Sequence, residues 1–179
     1  MKRLGLLILV LLIIPQAGMA QRNTAREFLR TQGQGDSFPA ARIIFHQTAE
    51  GQLCATLGIT RGPHAIPKNS FTFERVTSRD GELESAKLRF KFPKKPTEKE
   101  ESFTVWDSCV PSEPRQGEEG NERIEVVVRR PRMPPVELSI FYPPVDVAFA
   151  MNITVASDGG LMWENSVVDE DDAQSAGSE

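Results

Sequence analysis

The sequence predicts an antiparallel β-rich domain, either a sandwich of two sheets or one sheet with a helix packed on it. Three observations lead there. Between Ala41 and Val155 the chain carries six to eight short segments rich in Val, Ile, Thr and Phe, several of which alternate apolar with polar residues. Turn-forming residues separate them, among them Glu50-Gly51, Asp80-Gly81, Pro134-Pro135 and Gly159-Gly160. Only one clear helical stretch competes, near the N-terminus.

Residues 1–20 read as an export signal. Met1-Lys2-Arg3 is a basic start, Leu4 to Ile14 is an apolar core, and small residues at Gly18 and Ala20 precede a cleavage point at Gln21. An apolar run of about 11 residues is too short to cross a bilayer of roughly 30 Å as a helix. The mature chain is therefore expected to be secreted, with no membrane partner. Asn23 to Arg30 can make two helical turns, with Asn23 as N-cap and Gly33, Gly35 and Pro39 as the stop.

The strands follow in order. Ala41 to Thr48 is β-branched and aromatic, and Gln52 to Thr60 sets Leu53, Ala55, Leu57 and Ile59 on one face. After a proline-broken loop, Ser70 to Val76 places Phe71 and Phe73 on one face, and Asp80-Gly81 turns the chain back. Leu83 to Phe92 then alternates Ala86, Leu88, Phe90 and Phe92 against Lys87, Arg89 and Lys91, the pattern of a strand with one wet face. Pro93 to Glu101 reads as a solvated loop. Ser102 to Val110, Arg123 to Arg130 and Val136 to Tyr142 are three further strands. Val145 to Val155 fits a strand or a short helix, and Leu161-Met162-Trp163 is a last apolar patch. The expected organisation is a leader (1–20), a single β-rich domain (21–166) and a disordered acidic tail (167–179).

Charge and cysteine content narrow the function. The formal net charge of −4 becomes −6 once the leader takes Lys2 and Arg3 away. From Glu164 onward there are six acidic residues and no Lys or Arg, so the body of the domain is close to neutral. A near-neutral body argues against nucleic acid as a partner, which needs a concentrated positive stripe. Cys54 and Cys109 are the only cysteines, and in an oxidising compartment they read as one disulfide.

Catalytic patterns are sparse. His46 and His64 lack an acidic or nucleophilic neighbour at motif spacing, and with two cysteines they offer no close zinc-ligand spacing. No serine stands in a Gly-x-Ser-x-Gly elbow. The tail around Asp169-Glu170-Asp171-Asp172 does not fit a calcium loop. Neither a metal nor an organic cofactor is expected, and the chain reads as a non-enzyme. The cluster Arg89, Lys91, Lys94, Lys95 and Lys99 reads as a solvated sheet face rather than a nucleic-acid patch, because Phe90 and Phe92 alternate with the charges and should point to the core. Such a face could take an acidic glycan or the chain's own tail. Asn152-Ile153-Thr154 matches the N-glycosylation sequon.

Several segments, in order, resemble the latexin and retinoic-acid-receptor-responder family. They are Thr24-Ala25-Arg26, Asp36-Ser37-Phe38-Pro39 leading into Ala41-Arg42-Ile43-Ile44, Ala49-Glu50-Gly51, Ser85-Ala86-Lys87-Leu88, Phe103-Thr104-Val105 with Cys109, Pro135-Val136-Glu137-Leu138, and Met162-Trp163-Glu164-Asn165-Ser166. The resemblance covers one half of such a protein. It implies a cystatin-like α+β domain, one short helix on a curled antiparallel sheet, that binds a protein partner as a secreted inhibitor of metallocarboxypeptidase-type peptidases. No Gln-x-Val-x-Gly wedge of the cystatin type is present.

Two other likenesses point to an all-β sandwich, acting as a secreted interaction or structural module. Phe71-Thr72-Phe73, Gly81 to Arg89 and Phe103-Thr104-Val105 resemble the prodomains of transforming-growth-factor-type precursors. The separation of Cys54 and Cys109 suits an immunoglobulin-like domain, but no Trp lies on the strand after Cys54 and no Tyr two residues before Cys109.

Overall fold

The computed structural model describes residues 40–62, 65–79, 81–99, 101–112, 122–145 and 147–168. Ten strands run through them: β1 (Ala41–Thr48), β2 (Gln52–Thr60), β3 (Phe71–Arg79), β4 (Glu82–Leu88), β5 (Glu98–Lys99), β6 (Phe103–Pro111), β7 (Glu122–Val128), β8 (Val136–Phe141), β9 (Ala148–Val155) and β10 (Leu161–Val168). They form a six-stranded sheet in the order β10-β9-β1-β2-β6-β5 and a four-stranded sheet in the order β4-β3-β7-β8. Every neighbouring pair is antiparallel.

Five of the links are hairpins, and the local chemistry explains two of them well. Gly51 (φ 80°) and Gly81 (φ 84°) adopt left-handed conformations that side chains with a Cβ resist, so the β1–β2 and β3–β4 turns sit where the glycines are. The other connections carry the chain from one sheet to the other and back. One of these, after β4, shapes the site described below.

The expected α+β architecture is not the one this chain adopts. Among the described residues the helical content is a single 3-10 turn, Lys68–Ser70. The two sheets lie face to face and share one core, so the all-β sandwich alternative holds. The core joins Ile43, Phe45, Leu57, Met151 and Ile153 of the larger sheet to Phe71, Phe73, Ile124, Val126, Leu138 and Ile140 of the smaller one. The physical reason is mutual coverage. Each sheet presents an apolar face, and the other sheet buries it, which is the role the helix was expected to fill. The predicted helix over Asn23–Arg30, the leader and His64 lie outside the described residues.

Three smaller expectations also change. The strand expected to run to Phe92 ends at Leu88, and β4 is exposed along its length apart from partly buried Leu88. Of the stretch Val145 to Val155, open between strand and helix, Ala148–Val155 is strand β9. The last apolar patch extends into β10, so Val167 and Val168 belong to the sheet rather than to the tail.

The outer face of the larger sheet holds small clusters of its own, Ile44 with Ala148 and Ala150, and Phe103 with Val105. Arg42 is buried on this face, and desolvation lowers its guanidinium pKa to about 10. Cys54 and Cys109 face one another across β2 and β6 and form the disulfide. Beside it Thr56 Oγ1 donates to Asp107 Oδ1 at 2.7 Å.

Two stability measurements check this architecture. Phe73 is 4% exposed and its ring meets Phe45 of the opposite sheet edge-on at 5.8 Å. Phe73→Ala is expected to lower unfolding free energy by about 3–5 kcal/mol in a urea titration. The disulfide closes a 55-residue separation. Replacing both cysteines by Ala is expected to cost about 2–4 kcal/mol by the same titration, with secondary structure retained at low denaturant.

Candidate functional site

A groove opens at the edge of the smaller sheet, where β4 stops and β3 continues. Its volume is about 920 Å³, and it lies between Lys68–Glu74 on one side and Lys87–Phe92 on the other, with Arg129 at one end. The sequence explains why it forms. After Leu88 the chain does not keep pairing with β3 but carries Phe90 and Phe92 into the core. Phe90 packs edge-on against Phe73 at 5.1 Å and also meets Phe45 at 6.3 Å; Phe92 lies 6.0 Å from Phe73. Pro93 follows, has no N–H for a ladder, and is held by Lys68 Nζ donating to its carbonyl at 2.5 Å. The chain then crosses to the larger sheet.

The departure leaves the first residues of β3 paired on one side only. Arg129 N–H donates to the carbonyl of Ser70, the residue just before β3, which makes Phe71 and Val128 a non-hydrogen-bonded pair of the β3–β7 ladder. By the alternation of an antiparallel ladder, the N–H and C=O of the next residue, Phe71, point the other way, toward the groove. Among the described residues no backbone hydrogen bond reaches Phe71 from the departing segment.

The rim is cationic. Lys68, Lys87, Arg89, Lys91 and Arg129 line the groove against one carboxylate, Glu74, which accepts a hydrogen bond from Ser85 Oγ at 2.8 Å. Two of the cations are engaged. Lys68 also stands 5.4 Å from the Trp106 ring centroid, and Arg129 Nη1 donates to Thr72 Oγ1 at 2.7 Å. Lys87, Arg89 and Lys91 are exposed; Lys87 stands opposite Glu74 in the β3–β4 register, and among the described residues none of the three forms an ion pair.

The expected split between Arg89, Lys91, Lys94, Lys95 and Lys99 in solvent and Phe90 and Phe92 against the core is what the structure shows. The sequence does not reveal that Lys68 and Arg129, distant in the chain, complete the same rim. It likewise does not reveal that the two phenylalanines leave the strand.

A second polar cluster ties the sheets together inside the sandwich. Arg75 stands on the inward face of β3 and donates from Nη2 to both Glu122 carboxylate oxygens, at 3.0 and 2.9 Å. Its guanidinium lies 4.9 Å from the Tyr142 ring centroid, and Thr77 Oγ1 donates to Glu122 Oε1 at 3.2 Å. The Tyr142 hydroxyl bonds the Ser112 hydroxyl, which also accepts from Gln47 Nε2 at 3.3 Å. The chain thus links β3 and β7 of one sheet to β1 of the other. A charge at a core-facing position of a strand was the available sequence signal. The partner was not legible, because Glu122 lies 47 residues away.

His46 is half-buried on the outer face of β1, opposite Cys54. Asn152 is half-buried in the middle of β9, between Arg42 of β1 and Glu164 of β10. Among the described residues no three His, Cys, Asp or Glu side chains gather to hold a metal ion.

No protein-family model, no curated protein and no solved structure matches this chain.

The Arg75–Glu122 pair is largely desolvated, with side-chain exposures of 20% and 9%. Removing one partner leaves the other's charge uncompensated. Arg75→Ala is expected to destabilise the domain by about 3 kcal/mol. The double variant with Glu122→Ala should lose less than the two single losses combined, as a double-mutant cycle in urea would show.

Proposed function

We propose that this chain is a secreted, non-enzymatic protein-binding module that works through the groove beside β3. The observation that carries this reading is the combination at one place of an aromatic floor, an open strand edge and three exposed cations that form no ion pair among the described residues. Such a surface is organised for recognition: the apolar floor supplies area, and the few polar groups supply orientation. Secretion is supported by the leader pattern at residues 1–20 and by a disulfide that suits an oxidising compartment. The narrower expectation, inhibition of a metallocarboxypeptidase, came with the cystatin-like architecture. The two-sheet fold removes that motive, so the broader reading is adopted.

The test uses the oxidised mature chain and a variant carrying Lys87→Ser, Arg89→Ser and Lys91→Ser, all exposed positions that leave the core intact. A displayed random peptide library is selected on the native protein. The reading expects enriched peptides that bind the native chain, lose binding to the variant, and come off intact by mass spectrometry. Equal binding to the variant would remove the groove as the site. Cleaved or otherwise modified peptides would make the chain an enzyme.

A further inference from the structure

We propose that the groove takes an acidic, extended peptide segment of a partner protein, laid along the open edge of β3 as an added strand. This rests on the groove being the binding site. Three features of the groove specify the ligand's chemistry independently.

The first is the backbone. Phe71 turns its N–H and C=O into the groove where β4 has ended, so a strand added there gains a pair of ladder hydrogen bonds. A polypeptide carries N–H and C=O groups at the spacing this edge requires, whereas a sulfated sugar chain does not. The open edge itself is short, Phe71 and Thr72, because Phe73 and Glu74 already pair with Leu88 and Lys87 of β4; the ladder therefore anchors the ligand at one point, and the floor and rim of the groove carry the rest.

The second is the floor. Phe71, Phe73, Phe90 and Phe92 lie along the groove, and Phe90 and Phe92 keep part of their rings accessible. In an extended ligand alternate side chains point to the same face, so apolar residues at every second position would meet these rings.

The third is charge. Five cations against one carboxylate give the groove a positive field, and Lys87, Arg89 and Lys91, which form no ion pair among the described residues, lie on one rim. Carboxylates at the intervening positions of the same ligand would face that rim. The recognised pattern is therefore acidic and apolar residues in alternation.

The chain's own acidic tail fits less well. It leaves β10 at the far edge of the larger sheet. The groove lies on β4 and β3, at the edge of the smaller sheet away from β8, and β8 is the strand that touches β10.

The experiment is fluorescence titration of the oxidised mature chain with defined probes. They are a peptide alternating Glu or Asp with Val, the same peptide with Lys in place of the acids, the same acidic peptide N-methylated on the backbone of its central residues, oligoglutamate, and a heparin-derived hexasaccharide. The acidic alternating peptide is expected to bind most tightly. It should weaken by about tenfold or more in the Lys87→Ser, Arg89→Ser, Lys91→Ser variant and weaken with added salt. N-methylation should also weaken it, because it removes ladder donors. Equal binding of the N-methylated peptide would overturn strand addition. Equal binding of oligoglutamate would overturn the role of the floor, and tighter binding of the hexasaccharide would assign the groove to a glycan. If library selection yields groove-dependent peptides that are not acidic, this inference fails while the groove remains the binding site.

Discussion

The packing of Phe73 against Phe45 and Phe90 is the contact on which the rest of the structure depends. It joins the two sheets and determines where the smaller one ends. Phe45 projects from the larger sheet and Phe73 from the smaller, and their rings meet edge-on near the middle of the core. Phe90 reaches both from a segment that belongs to neither sheet. Aromatic rings in such arrangements bury large areas and favour tilted or edge-on contacts, so the cost of breaking strand pairing after Leu88 is offset by ring burial. The groove is the other side of that exchange: pulling the chain inward exposes the edge of β3.

Charge is distributed to match. The interior tolerates Arg75 because Glu122 sits against it and Tyr142 covers it, a pairing that satisfies both charges while bridging the sheets. The groove cations have no such partner among the described residues, although the chain as a whole is acidic. The acidic excess is concentrated in the sequence from Glu164 onward; of those six residues Glu164 stands in β10, at the edge of the sandwich away from the groove, and the others lie outside the described residues. Net charge therefore says little about this surface; placement decides it.

The basic segment near residue 90 was visible in the sequence as alternating Phe and Lys or Arg, and the direction of the rings was correctly legible from that alternation. The groove was not. Its second wall comes from Lys68, Phe71 and Arg129, brought together by the β3–β7 ladder, and no local pattern reports that register. The likeness to cystatin-like proteins rests on short pieces, some of which, such as Ala41-Arg42-Ile43-Ile44 and Phe103-Thr104-Val105, lie in strands. Pieces of that length specify strands, but they do not specify what covers them.

Local chemistry by itself determined where most strands lie, which turns carry glycine, and that Cys54 meets Cys109. Period-two alternation, left-handed turns and a single cysteine pair are properties of neighbouring residues or of composition. The tertiary structure alone decided that a second sheet, rather than a helix, buries the apolar faces. It also decided that β9 and β10 complete the larger sheet, that Arg75 finds Glu122, and that β4 stops at Leu88. Each of these depends on competition between contacts far apart in the chain. A strand whose pattern would allow pairing to Phe92 gives it up when two aromatic rings gain more from the core than from the ladder.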